Sequence, residues 1–160
     1  MRDRRAPDAW FRDRAAWTLI ATRYLPWLAA LNLLWEGAQL PLYTLWRDAS
    51  TAYIAFAVVH CTFGDLLIGT SALLLVLLAA RAGPLERWPW RAIVAGTTAL
   101  GAGYTIASEW MNTSLRQSWE YSSAMPVIEL QGVVIGLSPL AQWLVVPPLA
   151  LYLARRPAAR

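Results

Sequence analysis

Four stretches of this chain are apolar over about 20 residues or more, the length a helix needs to cross the hydrocarbon core of a bilayer. They run roughly from Leu25 to Trp46, Ala52 to Ala80, Arg91 to Met111 and Val127 to Leu153. The balance of residue types agrees: 58% are hydrophobic and only 15% charged, against about a quarter charged in ordinary soluble domains. So much apolar surface needs lipid to cover it. No segment alternates with period two, as the strands of a membrane barrel do. The expectation is an all-α fold: one membrane-embedded four-helix bundle over residues 1–160.

Arginine sets the orientation, because basic residues are retained on the cytoplasmic side. All 14 basic residues are Arg, and with the abundant Ala and Leu this points to a GC-rich bacterial genome. Arg2, Arg4, Arg5, Arg12, Arg14 and Arg23 precede the first stretch, Arg81, Arg87 and Arg91 lie between the second and third, and Arg155, Arg156 and Arg160 follow the fourth. Only Arg47 and Arg116 fall in the other two connections. Four crossings put the larger group on one face, so the expected location is the bacterial inner membrane with both termini cytoplasmic. The formal charge of +4 is explained by this topology, and no nucleic-acid partner is expected. Many of the ten Trp fall near the expected helix ends, where indole favours the headgroup layer.

The first apolar stretch starts too far along the chain for a cleaved signal peptide. Before it, residues 7–24 place Trp10, Arg14 and Trp17 at helical spacing. That segment reads equally as an interfacial amphipathic helix or as a basic leader ahead of an early first span. Pro26 suits a helix start. Pro41, Pro139, Pro147 and Pro148 fall inside expected spans and should kink them.

Ionisable groups are costly inside lipid and usually face the bundle interior. Asn32, Glu36, Gln39 and Tyr43 share one face of the first span, by their steps of three and four. Thr98, Gly101, Thr105, Glu109 and Asn112 share a face of the third. Its other face, with Ala95, Ala99, Gly103 and Ala107, reads as a small-residue packing surface. The second span holds His60, Cys61, Gly64 and Asp65, and the fourth Glu129, Ser138 and Gln142. By helical rise, His60, Glu36 and Asp65 sit about 12, 15 and 20 Å below the outer boundary. Glu109 and Glu129 come within about 5 Å of it. The loop of residues 112–126 contains Trp119, Glu120, Tyr121 and Met125, and reads as a structured cap.

These placements make Glu36, His60 and Asp65 the candidate acid–base groups. Asn32, Trp35, Gln39, Tyr43, Thr105, Glu109, Asn112, Trp119, Tyr121 and Glu129 are candidate substrate-lining residues, with Trp35 and Trp119 as walls. The reaction expected of such a pocket is acid–base chemistry on an isoprenoid or other lipid, a neutral carboxyl protonating an alkene. The competing reading is a non-catalytic subunit, assembly factor or small proton or solute conduit. No metal is expected: one His beside one Cys is not zinc spacing, the Glu-x-x-His pair of di-iron bundles is missing, and haem would lack a second His ligand. No other cofactor is expected. The expected partners are membrane lipids and a lipophilic small molecule.

The run Ser108-Glu109-Trp110-Met111-Asn112, then Trp119-Glu120-Tyr121-Ser122, Ala124-Met125-Pro126 and Gly136-Leu137-Ser138-Pro139-Leu140 with Gln142-Trp143, resembles small four-helix bacterial inner-membrane proteins. The resemblance covers about the last third of the chain and implies class and topology, with no activity attached. In outline, a membrane pocket with one His, several carboxyls and many Trp is also similar to membrane isomerases of the emopamil-binding type and to small carotenoid-modifying membrane enzymes. No motif of either is matched residue by residue, so neither implies a role for any position.

Overall fold

The computed structural model describes residues 9–116, 118–130 and 132–156. Arg2, Arg4, Arg5 and Arg160 of the expected cytoplasmic group, and the start of the expected interfacial segment, lie outside the described residues. The fold is mostly helical. Helix α1 (Arg14–Leu19) continues through a π turn (Ile20–Tyr24) into α2 (Leu25–Gln39). A 3-10 turn (Leu40–Leu42) and the short α3 (Leu45–Asp48) lead to α4 (Thr51–Ala79). After α5 (Trp90–Trp110) come a π turn (Met111–Leu115), the strands β1 (Val127–Leu130) and β2 (Val133–Gly136), and α6 (Leu137–Arg155). The long helices close a ring: α2 packs on α4 and α6, and α5 packs on the same two.

Helix α1 is not a separate surface helix. Asp13 caps it by accepting from the Ala15 amide at 2.9 Å. Trp10, Ala16, Leu19, Ile20 and Tyr24 are buried in the core. The helix then runs straight through Pro26, which does not start it. Proline lacks an amide and its ring crowds the carbonyl four residues back. The π turn just before it widens the helix, with the Leu25 amide reaching the Ile20 carbonyl. Pro41 has the opposite effect: the helix stops at Gln39 and turns, so the expected span to Trp46 is cut short.

The fourth helix also begins later than its hydropathy indicates. Val127–Leu130 and Val133–Gly136 pair as an antiparallel hairpin, with Leu130 opposite Val133 and Gly132 between the strands at φ +82°. Val127, Ile128, Val133, Val134 and Ile135 are β-branched, stiff at χ1 and better placed on a pleated strand. Pro139 falls in the first turn of α6, where an amide has no helical partner anyway. Pro147 and Pro148 do lie inside α6.

The two ends of the molecule differ. At the basic end the Trp10 backbone amide donates to the Ala82 carbonyl, and Asp13 also accepts from the Leu85 amide at 2.8 Å. The core there is apolar: Tyr24, Leu28, Leu73, Leu77, Ile93 and Leu151 are fully enclosed. The hairpin end holds the polar side chains. Helix α5 faces inward with Ile93, Thr97, Gly101, Thr105 and Glu109. Ala95, Ala99, Gly103 and Ala107, the expected packing surface, point outward instead. Gly101 is the contact that decides this, since the Trp143 ring of α6 occupies the space a Cβ would need.

Candidate functional site

The side-chain amide of Gln142, 3% exposed, is the centre of the polar cluster. Its Nε2 donates to Asn32 Oδ1 at 2.9 Å, to Asp65 Oδ2 at 2.9 Å and to Glu36 Oε1 at 3.2 Å. One nitrogen with two hydrogens thus serves three acceptors on α2 and α4, and at least one bond is shared. Gln39 Nε2 donates to Glu36 Oε1 at 2.9 Å, and Ser138 Oγ donates to Gln39 Oε1 at 2.9 Å. Asn32 Nδ2 turns back to the Leu28 carbonyl at 2.9 Å. The spacing of α2 makes this possible, since Asn32, Glu36 and Gln39 fall on one stripe, and that stripe meets the first two turns of α6.

A second group closes the hairpin end. The Tyr121 hydroxyl donates to Glu109 Oε2 and accepts from the Gly136 amide at 3.0 Å. Burial raises the pKa of this phenol, and its bond to Glu109 and that carboxyl's charge raise it further. Tyr43 bridges Tyr121 across the backbone, and their rings stand 5.7 Å apart. The Thr44 amide donates to the Glu120 carbonyl at 3.0 Å, the Ser122 amide to the Leu42 carbonyl at 2.9 Å, and Ser122 Oγ to the Pro41 carbonyl at 3.0 Å. Residues 118–126 are therefore a structured cap, tied to the turn that Pro41 creates.

The expected residues divide accordingly. Glu36, Asp65, Asn32 and Gln39 come together around Gln142. Glu109, Tyr121 and Tyr43 form the cap, and Glu109 is 6% exposed, not the interfacial carboxylate its depth implied. Thr105 is buried on the same face of α5. Asn112 bonds the Ser108 carbonyl of its own helix at 2.9 Å. His60 is exposed, its ring stacked 5.5 Å from Phe56, and it makes no hydrogen bond to the cluster among the described residues. The expected triad therefore reduces to a pair, because the five-residue step from His60 to Asp65 turns the two apart around α4. Glu129 is exposed on β1, opposite Val134. Trp35 packs against the apolar core and Trp119 is half-buried. The indole N–H of Trp35 is enclosed without a partner among the described residues, and that of Trp119 is enclosed beside Glu109.

Comparison with protein-family models, curated proteins and solved structures finds no match. Gln142 is the residue that sequence reasoning passed over as a lesser feature of α6. Its signal was a single amide one helical turn after Ser138, on a helix with no charged residue before Arg155. No group of three or more His, Cys, Asp or Glu suited to a metal occurs among the described residues. Glu36 and Asp65 instead face each other across a neutral donor. Two acids held against one donor are placed as a general acid beside a general base would be.

Proposed function

We propose that this chain is a bacterial inner-membrane protein, a four-helix bundle crossing the bilayer four times with cytoplasmic termini, and that it performs acid–base chemistry on a lipophilic substrate such as an isoprenoid. Helices α4 and α6 are each long and apolar enough to cross a membrane. The burial pattern supports embedding of the whole. Asn32, Gln39, Thr97, Thr105, Glu109 and Gln142 are buried, while Leu34, Phe56, Phe63, Leu67 and Leu144 lie on the outside. In water that arrangement is inverted; in lipid it is the favoured one.

The convergence of Glu36 and Asp65 on the Gln142 amide carries the catalytic reading. With one proton between them, one carboxyl delivers its proton to an alkene carbon and the other carboxylate removes a proton from a neighbouring carbon. The double bond moves and the pair regains its charge state, so no other reactant is consumed. The apolar core at the basic end blocks a polar track across the molecule, which weighs against a conduit. In this reading the Glu109–Tyr121 cap closes the outer side, and His60 takes no part.

One observation favours the second reading, a non-catalytic membrane subunit. The polar groups largely satisfy one another, and the two grooves described below do not reach them. The test is Glu36→Gln and Asp65→Asn in a deletion strain, with membrane lipids compared against the parent. Loss of a lipid conversion with normal accumulation of both variants supports the enzyme. Normal accumulation with full function makes the cluster structural.

A further inference from the structure

Two grooves open at the basic end, away from the carboxylate pair. Arg14, Thr18, Arg23 and Leu85 line one of about 450 Å³. The other, of about 470 Å³, lies between the start of α5 and the end of α6. We propose that this second groove holds the headgroup and glycerol backbone of one anionic phospholipid from the cytoplasmic leaflet. The proposal rests on the membrane reading above.

Trp90, Arg91 and Arg155 form the walls, Val94 and Pro148 line it beside them, and Thr98 lies further along α5. The Arg155 guanidinium sits 4.3 Å above the Trp90 ring. Stacking fixes the plane of the guanidinium and leaves its edge N–H groups free, the geometry that suits a phosphate. Arg91 brings a second positive charge to the same groove. Helix α6 contains no Asp or Glu, and α5 has only Glu109 at its far end. Glu86, in the preceding turn, does not line the groove. The positive charge is therefore not neutralised by the helices that carry it.

The apolar wall selects a lipid over a free phosphate. Further along α6, Leu144, Val145 and Leu149 are exposed and give acyl chains an apolar surface. Basic pockets at the cytoplasmic ends of membrane helices recognise anionic headgroups by this combination of charge and apolar wall.

The full chain, purified in mild detergent, is incubated with equal dioleoyl phosphatidylglycerol and dioleoyl phosphatidylcholine, and retained lipid is measured by native mass spectrometry. Wild type retains the anionic lipid in preference. Arg91→Gln/Arg155→Gln lowers that preference by roughly tenfold or more, two arginines near a membrane surface being worth about that factor. The charge-matched control Arg81→Gln/Arg87→Gln leaves it unchanged. Inorganic phosphate at equal concentration does not displace the lipid. Circular dichroism shows that each variant keeps its helical content. Equal losses in both double variants, or full displacement by inorganic phosphate, overturn the lipid site. Alkaline carbonate extraction separates the two levels of inference. Release of the chain from membranes defeats the membrane reading and this site with it, whereas retention without lipid preference defeats this site alone.

Discussion

Gly101→Ala is the substitution for which the structure sets the clearest magnitude. A Cβ built there lies 1.9 Å from Trp143 Cε3, 2.4 Å from Cζ3 and 2.7 Å from Cδ2. Carbon atoms rest at about 3.5–4.0 Å, so the indole has to withdraw by roughly 1.5 Å. Trp143 is 2% exposed and its ring is rigid, so the strain passes to the α5–α6 contact. Overpacking costs about 1–3 kcal/mol and occasionally more, and a rigid enclosed ring belongs at the top of that range. At about 2–4 °C per kcal/mol for a chain of this size, Gly101→Ala lowers the melting temperature by roughly 6–12 °C. Gly103→Ala on the same helix is the control. A Cβ there meets nothing within 4 Å, and alanine gains up to about 1 kcal/mol of helix propensity over glycine. Thermal unfolding of both variants in one detergent is the assay, with Trp143→Leu added to Gly101→Ala to recover part of the loss. The reasoning fails if Gly101→Ala melts with wild type while Gly103→Ala falls. That outcome requires α5 to be turned by about 160°, with its small-residue stripe facing inward.

Gln142→Leu removes the donor shared by Asn32, Glu36 and Asp65. The expected loss is about 2 kcal/mol in detergent unfolding, and Asp65→Asn in the same background recovers part of it. Tyr121→Phe is less stable than wild type by about 1–2 kcal/mol at neutral pH, for the lost bond to Glu109. Because the folded phenol has a raised pKa, this contribution is complete below the unfolded value of about 10 and fades as pH rises above it towards the folded value; alkaline unfolding curves of the two proteins should therefore converge. His60→Ala keeps the lipid phenotype that Glu36→Gln loses, since His60 stands outside the cluster; equal loss in both variants would return His60 to the site. On a Cys61→Ser background, Ser123→Cys is labelled from the periplasm and Glu86→Cys is not; the reverse pattern ends the proposed topology.

The hairpin shows where reading by hydropathy stops. Residues 127–136 are as apolar as a helix that crosses a membrane, and only their β-branched content and Gly132 separate the two outcomes. Hydropathy measures transfer into an apolar phase and carries no term for χ1 stiffness or for a glycine at positive φ. The same limit applied to α5. Small residues at four-residue steps permit close packing, but permission exists on both faces, and the bulk of Trp143 selected Gly101.

The sequence by itself determined the helical class, the stretches from which the long helices are drawn, the basic and polar ends, and the grouping of Asn32, Glu36 and Gln39. Each follows from a local quantity: hydropathy over a window, the placement of Arg, or a period of 3.6 residues. Tertiary structure decided the rest. It set the inward face of α5, moved His60 to the surface, folded Tyr121 onto Glu109, and made Gln142 the donor between two carboxyls. Those outcomes depend on how one helix is rotated against another. That rotation is fixed by the shape of side chains far apart in the chain, such as Trp143 against Gly101, and by the hydrogen bonds each buried polar group must find.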